Sequence, residues 1–127
     1  MASVIAKFCS KFNYAAKARK KTCIVPDRPE VKEVLDLFKE QYYVRFYFKN
    51  KTEKETLIVY LNSFAINFRI KPVERIHRKN VGWKWIIKNR SRGNKCILRT
   101  KWGLHFSNFH FYSSGAGEPI LYTYFKK

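Results

Sequence analysis

The chain has 127 residues, 46% of them hydrophobic, which allows one domain or two small lobes with a buried core and excludes a disordered tail. Its 27 Lys and Arg residues outweigh 9 Asp and Glu residues, and the formal charge of +18 predicts a polyanionic partner because so much like charge repels itself. No apolar run reaches the roughly 18 residues that a membrane-spanning helix needs.

The charges are unevenly distributed along the chain. Eight of the nine acidic residues lie within residues 27–74. Residues 1–26 contain six basic residues and no acid, and residues 75–127 contain twelve basic residues and one acid, Glu118. Within residues 75–101, ten Lys or Arg residues surround two tryptophans. Because cations neutralise phosphates and rings stack on bases, this composition favours nucleic acid over an ordinary solvated basic face.

The N-terminal third predicts two helices and a strand. Apolar residues at helical spacing predict a first helix over residues 3–19. A basic segment without acids is also typical of a mitochondrial transit peptide, and that alternative stays open. Residues 20–25 predict a strand that ends at Pro26. An amphipathic helix is predicted over residues 28–41, with Asp27 as its expected cap.

The rest of the chain is predicted to be mostly β. Residues 42–48 and 56–61 are rich in β-branched and aromatic residues and flank a charged turn, so they predict a hairpin. Large apolar residues alternate over residues 64–70 and predict a further strand. We therefore expect an α+β fold, with a small α/β lobe over residues 1–70 and a β-rich lobe over residues 71–127. The strands predicted in the second lobe are 73–77, 83–87, 96–100 and 120–125.

Candidate catalytic and metal-binding groups are sparse. Residues 75–127 contain one carboxylate, and the three histidines are scattered, so neither paired carboxylates nor a metal-ligand cluster is expected. Three cysteines without a CxxC spacing predict reduced, buried thiols in a non-secretory compartment. We expect no enzyme, no metal and no cofactor.

Two segments of the C-terminal half have the composition of loops that approach RNA closely. Thr100-Lys101-Trp102-Gly103 follows an apolar strand and combines a hydroxyl, a cation and a glycine. Residues 113–122 begin with small residues, which permit a tight turn with accessible N–H groups. Glu118 lies in this second segment. We expect its carboxylate either to accept hydrogen bonds from the loop or to read base N–H donors.

The C-terminal block ILRTKWGLHFSNFHFYSSGAGEPILYTYF (97–125) contains a strand, a Thr-x-x-Gly loop, a spacer, a Gly-Glu turn and a final apolar strand, in that order. This order resembles the small-subunit ribosomal protein S-eight family, which has a Ser-Thr-Ser-x-Gly loop and a Gly-x-Gly-Gly-Glu turn at these places. Residues 73–82 and 4–26 resemble further parts of that family, so the likeness covers most of the chain. It departs at Arg99 and Lys101, where the family has serines.

The resemblance implies a primary binder of small-subunit rRNA that organises the central domain of that RNA. It implies that the C-terminal lobe contacts an irregular internal loop of one RNA helix and the N-terminal lobe a neighbouring helix. The residues expected to bind RNA are Lys17, Arg19, Lys20, Arg75, Arg78, Lys79, Lys84, Arg99, Thr100, Lys101, Gly103, Gly115, Gly117 and Glu118. Neighbouring small-subunit ribosomal proteins are expected partners, and neither a membrane nor a second copy of the chain is.

The divergence from the family and the abundance of residues encoded by AT-rich codons favour an organelle, with the mitochondrion as the expected location and a plastid as the alternative. Three other functions remain open. One is an RNA-binding or assembly protein outside the ribosome. Another is an enzyme such as a nuclease, against which the small number of carboxylates argues. The third is a membrane-surface protein, which would leave the basic β-rich half unexplained.

Overall fold

The computed structural model describes residues 3–73, 95–100, 103–106 and 117–126. The chain divides into two compact units, one formed by Met1–Arg69 with Lys126–Lys127 and the other by Ile70–Phe125. Helices and two antiparallel sheets are both present, so the predicted α+β class is confirmed. Within the described ranges, no helix is long and apolar enough to cross a bilayer.

The first unit begins with two helices whose apolar faces contribute to its core. Helix α1 spans Val4–Lys17 and helix α2 spans Pro29–Glu40, each slightly shorter than predicted. Apolar residues spaced three and four apart give each helix one buried face. The buried residues are Ile5, Phe8, Cys9, Phe12, Ala15 and Ala16 on α1, and Val31, Val34, Leu35 and Phe38 on α2.

The two helices start differently. Ser3 caps α1, since its Oγ accepts a hydrogen bond of 3.1 Å from a backbone N–H of the first turn. The expected capping of α2 by Asp27 is wrong. The N-cap residue is Arg28, whose side chain makes no capping bond, and Asp27 instead forms an ion pair with Lys32 at 3.1 Å. Pro29 has the backbone φ that a first helical turn needs, so this start does not depend on a side-chain cap.

Both helices end in the same way, in a turn that uses a residue other than glycine. After α1, Lys20 N–H donates to Ala15 O at 2.9 Å and Arg19 N–H donates to Ala16 O at 3.2 Å. This is the Schellman motif, in which a left-handed residue ends the helix, and Arg19 has φ +57°. Tyr42, with φ +65°, takes the equivalent position after α2. A side chain in this conformation costs about 1–2 kcal/mol that glycine avoids.

A three-stranded antiparallel sheet packs against the helices. Its strands are β1 (Thr22–Pro26), β2 (Val44–Lys49) and β3 (Thr56–Leu61), in the order β1-β3-β2. Burial alternates along β3, where Leu57, Val59 and Leu61 are buried and the residues between them are partly exposed. The predicted hairpin is therefore present, and one face of its sheet remains accessible to solvent.

One predicted strand is partly wrong. The alternation over residues 64–70 predicts a strand, but Ser63–Asn67 form a 3₁₀ helix and only Phe68–Pro72 form a strand, β4. Ala65 is buried, and its N–H donates to Asn62 O at 3.0 Å. Ala65 and Phe68 are buried at a spacing of three residues, which suits a helical turn. This spacing outweighs the alternation of the larger side chains.

Four phenylalanine rings form the centre of the first unit. The Phe38 centroid lies 5.6 Å from that of Phe12 and 5.3 Å from that of Phe68. The Phe8 centroid lies 6.0 Å from that of Phe12, and all four rings are fully buried. Tilted and edge-to-face ring pairs at these distances stabilise a core beyond the burial of their area. The cluster therefore fixes both helices against the start of β4.

The second unit contains a four-stranded sheet in the order β4-β7-β5-β6. Its remaining strands are β5 (Lys95–Thr100), β6 (Gly103–Phe106) and β7 (Glu118–Phe125). Strands β5 and β7 match predicted strands, whereas β6 is absent from the predictions. The strand predicted at residues 73–77 is not present at its first residue, because β4 ends at Pro72 and Val73 lies outside any strand. Residues 74–77 and the strand predicted at residues 83–87 lie outside the described residues.

The three cysteines are free and buried, as predicted. Burial raises the pKa of Cys9, Cys23 and Cys96 from 9.0 to about 12. Since the thiolate is the reactive form, these side chains behave as small apolar core groups at neutral pH.

Candidate nucleic-acid interface

The described residues of the two segments predicted to approach RNA adjoin at one end of the second sheet. Strand β5 ends at Thr100 and β6 begins at Gly103, and these two residues are partners across the hairpin. On the other side of β5, Arg99 is the partner of Glu118, the first residue of β7. Residues that are distant in the sequence therefore lie on adjacent strands at the same end.

The approach of β7 to β5 depends on Gly117. A Cβ atom at Gly117 would lie 3.2 Å from Leu98 Cβ, 3.5 Å from Arg99 O and 3.6 Å from Thr100 Cγ2. Leu98 is fully buried, and its Cβ is attached directly to the backbone of β5, so it has little freedom to move away. The absence of a side chain at Gly117 thus allows the close contact between the two segments.

Gly103 is needed for a different reason. Its φ of +108° is a conformation that L-residues with a side chain rarely adopt, while no atom lies within 4 Å of the position that a Cβ would take. Thr100 Oγ1 donates a hydrogen bond to Gly103 O at 3.1 Å and closes the hairpin. Because the hydroxyl proton is used inside the hairpin, a contact from RNA would reach the Thr100 oxygen as an acceptor.

Arg99 and Glu118 lie on one face of this end of the sheet. Partner residues on antiparallel strands point to the same side, so the side chains of Arg99 and Glu118 are cross-strand neighbours. Both side chains are partly exposed. A carboxylate at such a position is within the range to orient the planar fork of a neighbouring arginine, which then suits paired hydrogen bonds to a phosphate or to a base edge. The one acid of the basic C-terminal half therefore has a positioning role available to it.

A small apolar cluster supports the opposite face. Cys96 and Leu98 are buried on it, and Tyr122 packs against them. Burial, and to a lesser extent Cys96, raises the pKa of Tyr122. Thr123 Oγ1 donates to Lys95 O at 3.2 Å and links β7 to β5. These contacts hold β7 against β5 along the strands that lead to the candidate site, from the Lys95–Thr123 pair at the far end to Leu98 near Glu118.

The other predicted site residues divide into two groups. Lys17, Arg19 and Lys20 are exposed in the first unit, at the last turn of α1 and just after it. The remaining six lie outside the described residues: Arg75, Arg78, Lys79, Lys84, Lys101 and Gly115.

Arg19 and Lys20 line a pocket of about 580 Å³ in the first unit. Lys21 and Arg45 also line it, together with aromatic rings from β2 and β3. Lys21, Arg45 and the rings are not among the predicted site residues, because the lining comes from three separate segments of the chain. The one available signal was the position of Arg45 among the aromatic residues of β2.

No model of a known protein family matches the chain, and no curated protein matches it in sequence. The function is therefore inferred from the charge, the fold and the geometry of these two sites.

Proposed function

We propose that this protein is a structural component of the small ribosomal subunit, which binds and organises the central domain of small-subunit rRNA in mitochondria. The observation that supports this most is the adjacency of Thr100 and Gly103 to Gly117 and Glu118. In these two segments the sequence resembles the RNA-gripping loops of the small-subunit ribosomal protein S-eight family. The charge of +18 supplies the attraction to phosphate that such a role needs.

The geometry suits an irregular RNA helix better than a regular one. A-form RNA hides its base edges in a deep, narrow groove, and internal loops expose them. Gly103 has no side chain, and the space that a Cβ would take there is open, so the backbone at Gly103 can approach the RNA closely. Arg99, beside Glu118, offers directed donors at the same place. Together these groups would read the shape and base edges of an internal loop.

The ribosomal assignment is tested by expressing a tagged chain in mitochondria and separating ribosomal subunits by gradient sedimentation. We expect the chain to sediment with small subunits and to crosslink to the central domain of their rRNA. Crosslinks to other RNAs without co-sedimentation would instead support an assembly protein outside the ribosome. Absence of any RNA crosslink would refute both roles.

A second experiment tests the hairpin end itself, using the purified chain and a small-subunit rRNA fragment that contains an internal loop. If about six phosphates are neutralised, affinity falls more than tenfold per doubling of salt. We expect Glu118→Ala to weaken binding although it removes a negative charge. The matched control is Glu53→Ala, which removes the same charge from the exposed β2–β3 turn and leaves binding unchanged or slightly tighter. Equal behaviour of the two variants would show that Glu118 has no positioning role.

A further inference from the structure

The solvent-accessible face of the first sheet carries a continuous apolar and aromatic surface. We call it the open sheet face, and it consists of Ile24, Phe46, Phe48, Ile58 and Tyr60. The register places Ile24, Ile58 and Phe48 side by side across the three strands, and Phe46 beside Tyr60 in the next row. The opposite face holds the core, as shown by Tyr47, whose hydroxyl donates to Asp36 of α2 at 2.7 Å.

Three rings of the open sheet face touch one another. The Phe46 centroid lies 4.6 Å from that of Tyr60 and 5.1 Å from that of Phe48, and Phe48 lies 5.8 Å from Tyr60. Phe48 is 55% exposed. Exposed, clustered apolar groups of this kind mark contact surfaces. Rings on an open sheet are also the platform on which unpaired bases stack.

The basic pocket adjoins this face. Phe46 and Tyr60 belong to both, since they line the pocket together with Arg19, Lys20, Lys21 and Arg45. All four cations are exposed, and no acidic residue lines the pocket. Among the described residues, none of the four forms an ion pair with a carboxylate. A site with this lining attracts an anion.

Two of the cations are held against rings. The Arg45 guanidinium carbon lies 5.7 Å from the centroid of Phe46, and Lys20 Nζ lies 5.0 Å from that of Tyr14. The negative end of the α1 dipole accounts for cations directly after that helix. It does not account for Arg45, which comes from β2, nor for the rings beside it. The combination of cations and rings points to a ligand that has both negative charge and flat apolar surface.

We propose that the basic pocket and the open sheet face bind a short single-stranded stretch of RNA. Phosphates meet Arg19, Lys20, Lys21 and Arg45, and unpaired bases stack on the ring cluster around Phe48. The volume lies within the range of about 300–1,000 Å³ typical of sites for compact ligands. A duplex does not fit this chemistry because its base faces are already stacked. The inference rests on the proposed RNA-binding function and adds a second, single-strand site to it.

The test uses fluorescence anisotropy of the full chain with a labelled oligouridylate of about eight nucleotides, which lies within the size range of single-strand sites. Phe48→Leu keeps an apolar side chain but removes the ring, and we expect it to weaken binding roughly 5- to 150-fold, as loss of a base stack does. Phe48→Tyr restores a ring and should bind like the natural chain. Phe48 is largely exposed, so these changes leave the core intact.

The charge contacts are tested by the salt dependence of the same binding. Arg45→Ala removes one phosphate contact and should make the slope of log affinity against log salt less steep by about 0.7. The control combines Lys51→Ala and Lys54→Ala, which remove exposed cations from the turn at the other end of the β2–β3 hairpin. We expect this control to alter the slope less than Arg45→Ala does. Phe48→Leu should weaken binding by the same factor whether or not the two lysines are present.

The outcomes separate this inference from the proposed function. One outcome is that the chain binds rRNA, while Phe48→Leu has the oligouridylate affinity of the lysine control and Arg45→Ala has its salt slope. The single-strand site is then refuted and the proposed function stands. If Phe48→Leu binds as well as Phe48→Tyr, the face accepts apolar surface in general, as a protein partner would supply, and the inference is likewise overturned. If the chain binds neither RNA, the proposed function itself fails.

Discussion

The buried thiols of the first unit should make it less stable at alkaline pH. Cys9 and Cys23 are 2% and 8% exposed, and burial raises the pKa of each from 9.0 to about 12. In the unfolded chain each thiol loses its proton near the ordinary value, while in the folded chain it keeps it. Between pH 9 and 12 the folded state therefore binds more protons than the unfolded state, and stability falls as the pH rises.

The size of this effect follows from the two pKa values. At about pH 10, one unit above the ordinary value, each thiol lowers the free energy of unfolding by about 1 kcal/mol or slightly more. The two together lower it by about 3 kcal/mol relative to pH 7. Below about pH 8 both thiols are protonated in the folded and the unfolded chain, so none of this stability is lost. The thiol effect has to be separated from the pH dependence of the rest of the chain by a comparison.

The comparison is between the natural chain and the double variant Cys9→Ala/Cys23→Ala. Urea unfolding under a reductant is followed by circular dichroism at a helical wavelength, which reports on α1 and α2 and so on the first unit. At pH 7 the variant is less stable because the missing sulfur atoms leave small cavities. By about pH 10 this deficit should shrink by about 3 kcal/mol. A deficit that stays constant over the pH range would refute the reasoning.

Three further substitutions have expected effects on stability, each measured by the free energy of unfolding. Gly103→Ala should cost about 1–3 kcal/mol through its φ of +108° alone, and crystal structures or chemical shifts should show no displaced neighbour. Gly117→Ala should also destabilise the chain, but by pressing on Leu98 Cβ, so a combined Leu98→Ala change should not relieve it because the Cβ remains. Phe38→Ala should cost about 3–5 kcal/mol and reduce the helical signal, since this ring joins both helices in the core.

The regular elements were predictable because local spacing and tertiary burial agree in them. The apolar stripes of α1 and α2 face the core, so the sequence pattern and the packing carry the same information. The strand predicted over residues 64–70 is only partly present, because Ser63–Asn67 form a 3₁₀ helix in which Ala65, a small residue without weight in the pattern, is buried. Strand β6 has only four residues, and its pairing with β5 is what identifies it as a strand.

The candidate sites likewise divide into one that the sequence predicts and one that it does not. The sequence indicates two short segments that contain Thr100, Gly103, Gly117 and Glu118, and the pairing of their strands explains why these residues adjoin. The basic pocket was not predictable because its cations come from the end of α1 and from β2, and their proximity is a property of the folded unit. Sequence patterns report well on neighbours along one element and poorly on residues that only the tertiary structure assembles.

The left-handed residues that end α1 and α2 have a consequence for the evolution of this chain. Arg19 and Tyr42 occupy equivalent turns, and glycine would relieve the same steric penalty at either. Only Arg19 lines the basic pocket. In a randomised library selected for foldability alone, glycine should therefore accumulate at both positions. When the library is instead selected for RNA binding, position 42 should still change to glycine, while position 19 keeps its cation.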